Sequence, residues 1–300
     1  MLIVSVAGAS GSGKSNTTRG LVRLLGRDVA VSYALDGYHY HDREERTKLN
    51  EFPEQPSAND FDRIKKDLVD LINNKFVFVP VYDHSSGKKL AKQRLIRLKE
   101  VLLIEGLHAG MIASMIYPTN LCSLLSIYVD TDTNIRMGWK TKRDIIERNY
   151  DYHQTEYQIR HRLKYEKEYI YWQLHYAHII LHIGRARNQK GNDVTSSLRV
   201  TEDVIRIVNM FMNDVGLPRE SFVYYKHQHK TCQRTLFSLH IGREDLVRQS
   251  VIEYIHPKGF RYDIIKPCRY GNNEYISSLK TMAYLIIICK KYKEYLDERY

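Results

Sequence analysis

Four short apolar runs in the first 130 residues each end on residues able to meet a ligand. LIVSVA (2–7) enters a Gly/Ser-rich loop, VAVSYAL ends at Asp36, VLLI at Glu105 and SLLSIYV at Asp130. Each run is branched or aromatic and continuous rather than alternating, the pattern of strands buried on both faces. Helix-like segments, such as 61–73, separate them. The chain is therefore expected to be α/β, with a mostly parallel sheet flanked by helices. Ligands of such sheets bind beyond the carboxyl ends of the strands. The loop, Asp36, Glu105 and Asp130 should then share one edge.

The loop itself is Gly8, Ala9, Ser10, Gly11, Ser12, Gly13, Lys14, Ser15 and Asn16. Its spacing is G-x-x-x-x-G-K-[ST], between a strand and a segment (15–25) that reads as a helix. Glycines let successive backbone N–H groups turn toward an anion, and the helix dipole adds positive potential at the same point. Lys14 is expected to reach the β- and γ-phosphates of ATP, and the Ser15 hydroxyl to hold Mg²⁺.

Composition narrows the class. The 300 residues are 43% hydrophobic and 27% charged, enough to bury a full core. No run has the length of a membrane span, and the first residues lack the basic flank and cleavage site of a signal peptide. Cys122, Cys232, Cys268 and Cys289 form no C-x-x-C pair, as expected of reduced thiols in the cytoplasm. The formal charge of +11 is scattered rather than blocked. It favours small polyanions such as ATP and a phosphorylated substrate over a nucleic acid.

Segment 135–162 reads as one charged helix, and Glu202–Val215 as another. A closing helix is expected from about Ser277. His175, His178 and His182 would meet on a helix, but no cysteine or acid joins them at zinc-ligand spacing. Lys226–Lys230 (KHQHK) reads as a solvated basic loop, and Trp139 and Trp172 as packing residues.

Several blocks occur in a fixed order after the loop: LDGYHYHDREER, PSANDFDRIKKDL, VPVYDHSSGKKL, LLIEGLHAG and SIYVDTDTNIRMGWKTKRDIIERNY. Together they resemble the phosphoribulokinase and uridine kinase family over residues 1–185. Three details are more similar to the phosphoribulokinase branch: the spacing from Asp36 to Arg43, Tyr82–Gly87, and Trp139–Asp144. Gly37 departs from plant-type members, which carry a second Asp there, and His178 replaces the Asp of the family's "AD".

The resemblance implies a P-loop kinase domain, taken as 1–200; residues 201–300 lie beyond it and read as an appended C-terminal α+β lobe whose role is not legible. It implies transfer of the γ-phosphoryl of ATP to a pentose phosphate hydroxyl, with uridine or cytidine as the alternative acceptor. A nucleotide- or nucleic-acid-binding protein without transfer activity is the further alternative. Asp36 matches the family's base, and Lys14, Lys140, Arg143 and Arg148 its catalytic cations. Glu105 joins Ser15 at Mg²⁺. His39, Arg43, Tyr82, His84 and Arg162 match acceptor contacts. The resemblance also allows a homodimer.

Overall fold

The computed structural model describes residues 1–116, 123–148, 151–185, 194–228, 235–254 and 273–296. Strand β1 (Leu2–Ala7) is buried along its whole length, as its uninterrupted apolar run requires. After it come helix α1 (Lys14–Leu25), β2 (Ala30–Ala34), α2 (Arg43–Leu49) and α3 (Phe61–Asn74). A hairpin, β3 (Phe76–Asp83) and β4 (Lys88–Arg97), forms a separate two-stranded sheet. Then follow β5 (Val101–Glu105), α4 (Ala109–Ile116), β6 (Ser123–Thr131), α5 (Thr133–Arg148), α6 (Tyr152–Tyr165) and β7 (Ile179–Arg185). The chain continues through β8 (Val194–Val200), α7 (Glu202–Val215), β9 (Phe222–Gln228), β10 (Thr235–Ile241), α8 (Glu244–Tyr254) and α9 (Asn273–Lys291).

The main sheet runs β2-β5-β1-β6-β7-β8-β10-β9. Its first five strands are mutually parallel, and the last three join antiparallel. The period of two along β1 divides the core into two layers. Leu2, Val4 and Val6 pack with Leu21 and Leu24 of α1, Phe211 of α7 and Met282 and Ile286 of α9. Ile3 and Ala7 face the other way, onto Ile64 and Leu68 of α3 and Ile112 of α4.

Three sequence expectations change. Segment 135–162 is two helices, α5 and α6, rather than one. The three histidines do not share a helix: His175 ends a 3₁₀ turn, and His182 lies within β7. His178 Nδ1 instead meets the Ser126 hydroxyl at 2.8 Å, and His182 Nδ1 meets Asp130 at 3.0 Å. Among the described residues no group of three or more His, Cys, Asp or Glu is arranged to hold a metal. Lys226–Gln228 belong to β9, and the rest of the KHQHK stretch lies outside the described residues.

On either side of residue 200, where the sequence reading divides the chain, the strands lie in one sheet, and α1, α7 and α9 share one apolar cluster. Cys289 is buried in that cluster, and burial pushes its thiol up to about 12. The other three cysteines lie outside the described residues. No described helix is long and apolar enough to cross a membrane.

Candidate active site

The loop after β1 is shaped by close backbone approach. A Cβ on Gly8 would sit 2.5 Å from the Val129 carbonyl of β6, so only glycine lets the chain leave the sheet here. Gly13 caps α1 at φ 95°, a left-handed conformation that an L side chain resists. The loop's outward carbonyls are already engaged: Ser10 accepts from Arg136 at 2.9 Å and Ser12 from the Thr131 hydroxyl at 2.8 Å. Arg136 is itself buried and paired with Glu166 at 2.8 Å. A glycine-rich loop braced in this way at a helix start suits a polyphosphate.

Lys14 is only 8% exposed. Its Nζ donates to the Ala9 carbonyl at 2.9 Å. Burial lowers its pKa, opposed by the carboxylates of Glu105 and Asp36. The Ser15 hydroxyl donates to Glu105 Oε1 at 3.1 Å. Burial, and then the charge of Asp36, push Glu105 up to about 7. A hydroxyl beside a buried carboxylate is an oxygen donor set matching Mg²⁺. The residues present therefore fit the cation.

Asp36 opens a 3₁₀ turn (Asp36–Tyr38) just past β2, its side chain about one-third exposed at 34%. Burial alone would raise its pKa. The hydrogen bond and charge of His84, 3.1 Å away, with His39 and Lys14 nearby, outweigh that and hold it below the usual carboxylate range. His39 is pushed down to about 4 by burial, bonds Asn59 at 2.9 Å through Nδ1, and stands edge-on to Tyr82.

The cations divide by what they already hold. Arg43 bonds the backbone carbonyls of His84 and Ser85, so it ties α2 to the hairpin turn as well as lining the cavity. Arg162 faces the wholly buried carboxylate of Glu54 at 3.8 Å. Lys140 is 2% exposed and pairs with Asp144 at 3.1 Å. Burial and the Arg162 charge bring it down to about 7. Arg143 also grips Asp144, at 2.9 Å, so one buried acid organises Lys140 and Arg143 together. Arg148 ends α5, and its side chain lies outside the described residues.

These groups surround one cavity of about 1020 Å³ at the carboxyl end of the parallel strands. It gathers Ser10, Gly11, Gly13, Lys14, Ser15, Asn16, Asp36, His39, Arg43, Tyr82, His84, Glu105, Lys140, Arg143 and Arg162. Ala9 and Ser12 are buried behind the loop, and Gly8 sits against β6. Trp139 lines the wall and also packs against the core. Trp172 is off the site, its indole N–H bonded to the Tyr169 carbonyl.

Sequence reasoning did not give Arg46 and Glu54 roles of their own. Arg46 donates to the Tyr82 hydroxyl at 3.0 Å and lies 5.6 Å from its ring centre. Its one signal was helical spacing, three residues after Arg43. Nothing in the sequence marked Glu54 as a buried partner.

A family model described as the phosphoribulokinase / uridine kinase family matches residues 3–190. The chain belongs to that family. It is 29% identical to a phosphoribulokinase of Synechocystis over 185 residues, covering 61% of this chain and 54% of that protein. It is 35% identical to a uridine kinase of Macrococcus caseolyticus over 153 residues, covering 49% of this chain and 70% of that one. The chain spans about half the length of the curated phosphoribulokinases it matches. Among solved structures, phosphoribulokinase from Rhodobacter spheroides shares the fold with a TM-score of 0.53 and 16% identity, over 86% of this chain and 95% of that one.

Proposed function

We propose that the chain is an ATP- and Mg²⁺-dependent kinase that transfers the γ-phosphoryl group to a hydroxyl of a pentose phosphate, most like ribulose 5-phosphate. The observation that carries this reading is the charge of the cavity wall. Eight lysines and arginines line it against Asp36, Glu51 and Glu105. With the buried Asp144 and Glu54, which pair with three of those cations, an excess of three positive charges remains. Mg·ATP brings about two net negative charges, too few to balance that wall, and a second, phosphorylated anion supplies more. The chain's family membership and its match to phosphoribulokinases agree with this choice.

In this reading, the loop amides and Lys14 hold the β- and γ-phosphates, and Ser15 and Glu105 hold Mg²⁺. Bound there, the ion neutralises charge on the phosphates. Asp36 accepts a hydrogen bond from the acceptor hydroxyl, aligns its oxygen with the γ-phosphorus, and takes the proton as the new P–O bond forms and the β–γ bridge breaks. An acid this far below the usual carboxylate range is fully ionised at neutral pH. It orients the hydroxyl first and takes up its proton late in the transfer. Lys140, Arg143 and Arg148 stabilise charge on the moving phosphoryl group, and their helix closes the site from water.

One observation favours a second reading. Tyr82, Tyr157 and Phe52 give the same cavity aromatic walls suited to a flat base, and the chain's uridine kinase relatives reach 35% identity. Release of ADP with ribulose 5-phosphate, uridine, cytidine and other small hydroxyl compounds separates the two. Turnover on the sugar phosphate at least tenfold faster supports the first reading. Turnover on nucleosides alone replaces it with the second.

A further inference from the structure

The C-terminal helix α9, which lies beyond the family match, is built against the helix that carries the phosphate loop. Thr17, in the first turn of α1, is wholly buried, and its hydroxyl lies 2.9 Å from that of Tyr275 in the first turn of α9. One turn further along the same face is Gly20. A Cβ there would come within 2.9 Å of Leu279 Cδ1. Glycine inside a helix is disfavoured relative to alanine. Its presence here matches the space that α9 takes. α9 is fixed in turn: Ser278 meets Ser196 of β8 at 2.9 Å, and Lys280 pairs with Glu244 of α8 at 3.0 Å.

We propose that Tyr275 is a positioning residue for the nucleotide site, acting through Thr17 on the first turn of α1. The inference rests on the reading of the loop as an ATP site. The turn held by Tyr275 also contains Lys14 and Ser15, and the Thr17 N–H closes it onto the Gly13 carbonyl at 2.9 Å. Amides at a helix start bind a phosphate only when the turn is held at the right tilt. β6 and α5 brace the loop from one side, through Val129, Thr131 and Arg136. On the α9 side the brace is Tyr275, together with the Leu279 contact. Residues far from the loop in sequence thus set how well it grips phosphate, without touching the nucleotide.

The test is the ATP dissociation constant by isothermal titration, with Mg²⁺, on the full chain well below its melting temperature. Tyr275→Phe keeps the ring in the core and removes only the hydroxyl. It should weaken ATP binding about threefold to tenfold, the size of one neutral hydrogen bond. The acceptor KM should stay at the parent value. Thr17→Val should show the same loss, Thr17→Ser should restore binding, and the double variant should be no weaker than either single one, since both remove one link. Equal ATP affinity in parent and Tyr275→Phe, with only a lower melting temperature, overturns the inference and leaves the loop reading standing. Losses that multiply in the double variant also overturn it. If Tyr275→Phe does not fold, the comparison of Thr17→Val with Thr17→Ser decides alone. A parent chain that does not bind ATP overturns the loop reading and this inference together.

Discussion

Replacing Arg162 by alanine should disturb two things at once, and the structure gives the size of each. Its partner Glu54 has no solvent exposure, Arg162 is 15% exposed, and their charges lie 3.8 Å apart. At an effective dielectric of ~20 that separation corresponds to about 4 kcal/mol of attraction. Removing one member of a buried pair typically costs about 3–5 kcal/mol, because the other charge stays buried without compensation. For a chain of this size the loss lowers the melting temperature by roughly 5–10 °C. Glu54→Gln in the same molecule should recover most of it, since no uncompensated carboxylate remains. Binding gives the second readout. If Arg162 also meets the acceptor's phosphate, its loss raises the acceptor KM by more than about tenfold. That rise should persist in the Glu54→Gln background, with the KM for ATP near the parent value. Differential scanning fluorimetry and initial rates measure both. An Arg162→Ala protein that melts like the parent refutes the buried pair. A KM restored along with stability refutes any direct contact with the acceptor.

Asp36→Asn keeps the shape and removes the proton acceptor, so kcat should fall by roughly 10²–10⁴-fold while ATP binding measured by titration persists. Lys14→Ala should abolish transfer, yet raise or leave unchanged the melting temperature without nucleotide, because the buried ammonium is already disfavoured in the folded chain. Lys140 titrates at about 7 when folded, against its ordinary 10.5. Between those values the unfolded chain binds the extra proton, so this residue makes stability rise with pH across that window. Lys140→Met should flatten the rise in a series of melting curves. Glu105, pushed up to about 7, must lose its proton to hold a cation. The Mg²⁺ concentration for half-maximal rate should therefore climb as pH falls below 7.

Features governed by local periodicity were legible in the sequence. The run into the phosphate loop, Asp36 and Glu105 at strand ends and α7, whose bounds coincide with the expected Glu202–Val215, depend on short-range pattern and backbone geometry, whereas Asp130 is not among the cavity's lining residues and meets His182 instead. Features made by distant contacts were not. β8 and β9 carry polar and charged residues among their apolar ones and read weakly as strands, but pairing with β7 and β10 extends the main sheet through them. The histidine trio matched a helical spacing, yet β7 claims His182 because its apolar neighbours complete the sheet. Arg43 matches an acceptor contact in sequence, and only the hairpin turn folding back onto α2 supplies the carbonyls that also hold it.

The central claim is that this cavity moves phosphoryl from ATP to a sugar phosphate, and one ³¹P NMR experiment tests it most directly. Mg·ATP, ribulose 5-phosphate and uridine are placed together with the protein, and the resonances are followed in time. The account predicts ADP together with a second phosphomonoester signal on the pentose phosphate, both absent with Asp36→Asn over the same period. A phosphomonoester forming on uridine instead, or inorganic phosphate as the only product beside ADP, would contradict it.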